Sequence, residues 1–170
     1  ILRKRAECWG PARLGKGTSE TFLQLLDEAE HCPLINDLER GELASDRALH
    51  YLWQADYYAA NHHSREAEGR FEKGGDRERY LLQLLHHIYV YLSLGDMANA
   101  HGNIEKAKQV LVQVGTSLGE AESNCALAEI LLQQGRYREA VSAFDRGREM
   151  TAQLGEHIPM CWCQIYTALA

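Results

Sequence analysis

Three stretches of the chain repeat one arrangement of small and large apolar positions. They are Ser64-Arg65-Glu66-Ala67 with Phe71, Met97-Ala98-Asn99-Ala100 with Ile104, and Tyr137-Arg138-Glu139-Ala140 with Phe144. Each has an alanine three residues after its first member and a large apolar residue four further on, the spacing of one helix face. The alanines stand 33 and then 40 residues apart. A turn glycine precedes the second and third stretches, in Gly95-Asp96 and Gly135-Arg136, and His62-His63 holds that place in the first. The pattern predicts helix hairpins. A first helix ends at a glycine able to take the left-handed cap conformation, and a second folds back against it. Close crossing needs a small side chain, supplied by Ala67, Ala100 and Ala140, with Ala55 and Ala128 as small partners on the first helices.

Residues 1–18 read as irregular or a short helix, ahead of a repeat domain over 19–170. A helix is expected over Ser19–His31, capped by Thr18 or Ser19, with Phe22, Leu23, Leu26 and Ala29 as its buried stripe. Cys32-Pro33 ends it. The first hairpin spans about 42–73, as Glu42–Ala60 with Ser64–Lys73. The second spans 77–114, as Arg77–Leu94 with Met97–Val114, and the third 118–154, as Leu118–Gln134 with Tyr137–Leu154. A last helix over 158–170 is cut off by the end of the chain. The stretch Tyr80–Leu92 is apolar on nearly every face, so it must be covered on all sides.

Composition sharpens this to an all-α fold. Leu and Ala number 43 against 17 for Val, Ile and Thr together, and no proline occurs between Pro33 and Pro159. The net charge of −6 argues against nucleic acid or an anionic membrane as partner, with Arg3-Lys4-Arg5 a short local exception. The longest apolar run, Ile88–Leu92, is far too short to span a bilayer. The chain starts with Ile rather than Met and carries no signal-peptide pattern, so it is expected to be an excised segment of a larger protein. Five scattered cysteines, Cys8, Cys32, Cys125, Cys161 and Cys163, read as small buried hydrophobes in a reducing cytoplasm.

The hairpin pattern resembles the tetratricopeptide repeat family over roughly residues 42–160. The third hairpin carries Leu127-Ala128, Leu131, Gly135, Tyr137, Ala140 and Phe144, with Gly147 where the family usually has alanine. The second offers Leu84, Tyr91, Gly95, Ala100, Ile104 and Ala107, with Ile88 in a small-residue place. The first offers Tyr51, Ala55, Tyr58, Ala67 and Phe71 and lacks the turn glycine. The 40-residue spacing resembles the longer repeats of bacterial regulatory proteins and of some eukaryotic scaffolds.

The resemblance implies a right-handed superhelical solenoid of antiparallel helix hairpins, whose concave face binds a peptide or a partner's helix. Carried over by position, that face comprises Leu49, Leu52 and Asp56; Leu82, Leu85, Tyr89 and Leu92; and Glu122, Cys125, Glu129, Leu132 and Gln133. The Lys, Asn and Arg clamp of the chaperone-binding branch is missing. A groove that is apolar in the middle and acidic toward Glu122 and Glu129 suits an apolar or amphipathic segment of a protein partner. The alternative is self-assembly, with the groove filled by the chain's own Ser19–His31 helix or by a second copy.

No enzyme is expected. Gly10–Thr18 nearly spells a phosphate-binding loop, but Gly17 stands where Ser or Thr must follow Lys16, and no apolar strand precedes it. The adjacent pairs His62-His63 and His86-His87 point about 100° apart on a helix, which disfavours a shared ion. Cys161-x-Cys163 has no second cluster at zinc-finger spacing. No nucleophile signature occurs. Asp27-Glu28 and Glu120/Glu122 read as solvated faces, and Trp53, Tyr57, Tyr58 and Trp162 as packing residues. Catalytic residues, metal and cofactor are therefore expected to be absent.

Overall fold

The computed structural model describes residues 16–154, with side chains described from 20 to 153. Seven helices and no strands occur among them. The chain divides into two compact units at the Asp76–Arg77 junction. The first holds α1 (Lys16–Glu30), α2 (Asp37–Trp53) and α3 (Tyr57–Lys73). The second holds α4 (Arg77–Ser93), α5 (Met97–Val114), α6 (Ser117–Gln133) and α7 (Tyr137–Leu154). The expected last helix over 158–170, the cysteines at 8, 161 and 163, Trp162 and most of the glycine-rich segment lie outside the described residues.

The helix pairs α2–α3, α4–α5 and α6–α7 each pack as a hairpin. Their first helices start at 37, 77 and 117 and their second helices at 57, 97 and 137, a strict 40-residue period. The turns repeat as well. The backbone N–H groups of Asp56, Asp96 and Arg136 donate to the carbonyls of Tyr51, Tyr91 and Leu131 at 2.9, 2.8 and 3.0 Å. These are the long-range bonds of a Schellman cap, which needs a left-handed residue just before the donor. Gly95 (φ 72°) and Gly135 (φ 73°) supply it in the second unit, and Ala55 (φ 59°) in the first.

That alanine corrects the first hairpin. Its turn lies at Gln54–Asp56, not at His62-His63, which sit inside α3. Ala55 is therefore a turn residue, and Ala48, buried on α2, occupies the place of Ala128 on α6. The true counterpart of Ala100 and Ala140 is Ala60, and all three are fully buried one turn into their helices. Ala67 corresponds instead to Ala107 and Gly147. A left-handed alanine costs about 1–2 kcal/mol. Ala55→Gly is expected to raise stability by roughly 0.5–1 kcal/mol, the gain being reduced by glycine's larger unfolded-state entropy. A chemical-denaturation midpoint that does not rise would contradict this.

Side-chain caps start most of the helices. Asn36 accepts from the Glu39 N–H at 2.9 Å while the Glu39 carboxylate accepts from the Asn36 N–H, a full capping box. Asp56, Asp96 and Thr116 accept from Ala59, Asn99 and Gly119. α1 begins earlier than expected, so Thr18 and Ser19 lie within it rather than capping it. Its buried stripe is Phe22, Leu26 and Ala29, clustered with Leu43 of α2 and flanked by half-buried Leu23, Leu25 and Ile35. Asp27 is not merely solvated: with Glu30 it clasps the buried Arg47 guanidinium of α2, both at 2.7 Å.

In the second unit α6 packs on α4, α5 and α7. Cys125, Ala128 and Leu131 of α6 form one cluster with Ala140, Ala143 and Phe144 of α7. Asn103 of α5 donates to the Leu84 carbonyl of α4 at 3.3 Å, satisfying a buried amide between the two helices. The apolar-all-round stretch of α4 is covered on most of its surface, with Leu81, Leu84, Leu85 and Ile88 fully buried, but Leu82, His86 and Tyr89 stay half-buried, so one face is not covered as expected.

Candidate partner-binding face

In α4 the residues Leu82, His86, Tyr89 and Ser93 recur at helical spacings of four and three, forming a stripe along one face. The first three are half-buried and Ser93 is exposed. One period later, α6 presents Glu122, Ala126, Glu129 and Gln133 in the same register. The two helices pack against each other; of the α6 positions Glu122 is half-buried and Gln133 exposed, whereas Ala126 and Glu129 are buried.

The expected groove residues separate by accessibility. Leu82, Tyr89, Glu122 and Leu132 are half-buried and Gln133 is exposed, so they can meet a partner. Leu85 is 0% exposed, and Leu92, Cys125 and Glu129 are also buried. These four are core residues in this structure rather than an open surface: α4 and α6 are each flanked on more than one side. Leu132 also packs against the Cys125–Phe144 cluster. In the first unit Leu49 and Leu52 are half-buried. Asp56 is exposed, but its carboxylate is committed to capping α3.

Three residues depart from their expected packing roles. Trp53 and Tyr58 are exposed on either side of the α2–α3 turn, Tyr58 at 82%. A turn at His62-His63 places both inside one long helix, where an aromatic pair reads as core. Cys32 is exposed as well, because it falls in the loop between α1 and α2, whereas Cys125 is buried as expected.

Several histidines sit where burial disfavours their charge. Burial lowers the His50 pKa below its ordinary 6.5, the ring lying stacked on Phe22 at 5.2 Å. Burial likewise lowers His86 on the α4 stripe. His63 is lowered by burial and by the nearby charges of Arg47 and His62, against an opposing pull from Glu66. The unfolded chain therefore takes up protons before the folded one does. Stability from these groups is present above 6.5 and lost as the pH falls through their folded pKa values. Thermal melts at steps from pH 7 to 5 are expected to show a falling Tm, with a shallower fall in His50→Gln. A flat profile would contradict the burial assignment.

His62 and His63 leave the helix in diverging directions, yet both approach the same carboxylate. One ring nitrogen of each and one Glu66 carboxylate oxygen lie within 4.8 Å of one another. None of the helices among the described residues is long and apolar enough to cross a membrane.

Among known proteins, the family model described as tetratricopeptide repeat matches residues 80–153. No curated protein matches the chain. The matched segment begins within α4 and ends within α7, so it covers nearly all of the two hairpins of the second unit. Helix pairs of uniform length, left-handed turn residues and buried alanines at one period agree with that match: residues 80–153 belong to the tetratricopeptide repeat family.

Proposed function

We propose that the chain is a protein-binding module, a regulatory or scaffolding segment that holds an apolar or amphipathic stretch of a partner against the α4–α6 face. Tetratricopeptide repeats generally mediate protein–protein interaction, and the family is typically non-enzymatic. One observation supports this face above others: Leu82 and Tyr89 remain partly open on α4 over a fully buried apolar floor, beside Glu122 on α6. Leu82 and Tyr89 offer apolar area, while Glu122 favours a basic residue flanking the partner's apolar positions.

The alternative is self-assembly through the same face. The apolar stripe of α1 is already used against Leu43 in its own unit, which favours an occupant other than α1. Exposed Cys32 and buried Cys125 are free thiols and suit a reducing, cytoplasmic setting.

Complete burial of a large apolar side chain contributes about 1.5–3 kcal/mol. Partial burial of two such residues supports affinities near the micromolar range once ordering costs are subtracted. A displayed random-peptide library selected on the chain is expected to enrich amphipathic sequences with basic flanks. Their affinity should fall at least tenfold for Leu82→Asp/Tyr89→Ala, with helical circular dichroism retained. Equal affinity for both proteins refutes the face. A chain that sediments as a concentration-independent dimer, and as a monomer after the double substitution, supports self-assembly instead.

A further inference from the structure

We propose that His62, His63 and Glu66 of α3 form a three-ligand site for a borderline transition-metal cation, Zn2+ foremost, with one coordination position open to water. Imidazole and carboxylate are ordinary zinc ligands, and three protein ligands plus water complete a tetrahedron. The site is separate from the α4–α6 face and does not depend on the protein-binding reading.

The geometry begins with helix spacing. His62 and Glu66 stand at i,i+4 and His63 and Glu66 at i,i+3, so both imidazoles overlie the same carboxylate. The three donor atoms are within 4.8 Å of one another. Ligands about 2.0–2.2 Å from a tetrahedral ion lie roughly 3.3–3.5 Å apart, so the cluster must close by little more than about 1 Å. His62 is exposed, and its ring can rotate to supply that closure.

A second observation points to a ligand. His63 Nδ1 is buried and has no hydrogen-bond partner. The Glu66 Oε2 atom is 3.6 Å away, too far for a hydrogen bond and well placed for two atoms sharing an ion.

The surroundings orient two of the ligands. Tyr51 of α2 stacks on the His63 ring at 5.5 Å with an interplanar angle of 6°. Arg70 donates twice to Glu66 Oε1, at 3.1 and 2.9 Å, and leaves Oε2 turned toward His63. Such outer partners fix ligand geometry in metal sites. The positive charge of Arg70 also weakens the site for a cation, which sets the expected affinity in the micromolar range.

Titration of the purified chain with ZnCl2, followed by calorimetry, is expected to show one such site per chain. His62→Ala and His63→Gln should each weaken it at least tenfold. Because His62 is exposed, His62→Ala should keep the wild-type helical signal. Co2+ should give the visible bands of a tetrahedral nitrogen–oxygen site in the wild type and lose them in His62→Ala. Absence of zinc binding overturns the proposal. So does affinity unchanged by both substitutions, or a thiolate-to-cobalt charge-transfer band, which would place the ion on cysteine.

Discussion

Phe144→Ala is expected to lower the unfolding free energy by about 3–5 kcal/mol, read as a shift of the urea midpoint by far-ultraviolet circular dichroism. The ring is 2% exposed in the cluster of Cys125, Ala128, Leu131, Ala140 and Ala143. Four of those five neighbours are alanine or cysteine, and such short side chains cannot swing into the space a lost ring leaves. The cavity cost therefore adds to the lost transfer energy. Domains of this size are stable by roughly 5–15 kcal/mol, so the change removes a large share of the margin. Tyr137→Ala, seven residues earlier and exposed, serves as the contrast and should move the midpoint by less than about 0.5 kcal/mol. Equal effects from the two substitutions would contradict the assignment of Phe144 to the core.

The second large effect concerns Gly147. An alanine there should gain about 1 kcal/mol of helix propensity. Its Cβ would instead lie 2.6 Å from the Cys125 Sγ and 3.1 Å from the Ala121 carbonyl oxygen. Overpacking of this kind costs about 1–3 kcal/mol. The backbone oxygen cannot step aside as a side chain can, so steric cost wins and Gly147→Ala should destabilise. Trimming the opposing thiol should reverse much of the loss. In Cys125→Ala/Gly147→Ala the two substitutions should couple by about 1–3 kcal/mol. Additive effects in the double-mutant cycle would show that α6 and α7 do not meet at this point. The same contact accounts for a family-alanine position occupied by glycine; its counterparts one and two periods back, Ala107 and Ala67, are alanines and both fully buried.

The second unit was legible in the sequence because its turns use the residue their backbone demands. Gly95 and Gly135 mark the left-handed positions, and the helix bounds predicted around them agree with the structure to within one residue. The first hairpin was not legible in this way, because Ala55 adopts the left-handed conformation without the glycine that signals it. Ala60 and Ala67 lie two turns apart on one helix face, so either gives a consistent apolar stripe. The pattern therefore slid from the true counterpart, Ala60, to Ala67, and the period read 33 instead of 40. The accessible part of the candidate face was hidden for a related reason. A helix as apolar as α4 has no polar side to mark the direction of solvent, so Leu82 and Leu85 looked equivalent. Their burial is decided by α5 and α6, which only the folded arrangement reveals. The spacing of the His62–His63–Glu66 cluster does not reveal it because the two rings leave the backbone in diverging directions, while one nitrogen of each can still approach the Glu66 carboxylate.

The uniform spacing of helix starts has a consequence for how such a chain can change length. Recombination between two gene copies, misaligned by one whole period, would join equivalent points of successive hairpins. Every cap, turn and small-residue crossing on either side of the junction would keep its proper neighbour. Gain or loss of genetic material in blocks of 40 codons is thus compatible with folding. A join offset by half that amount would set two second helices in tandem, leaving one hairpin without its mate.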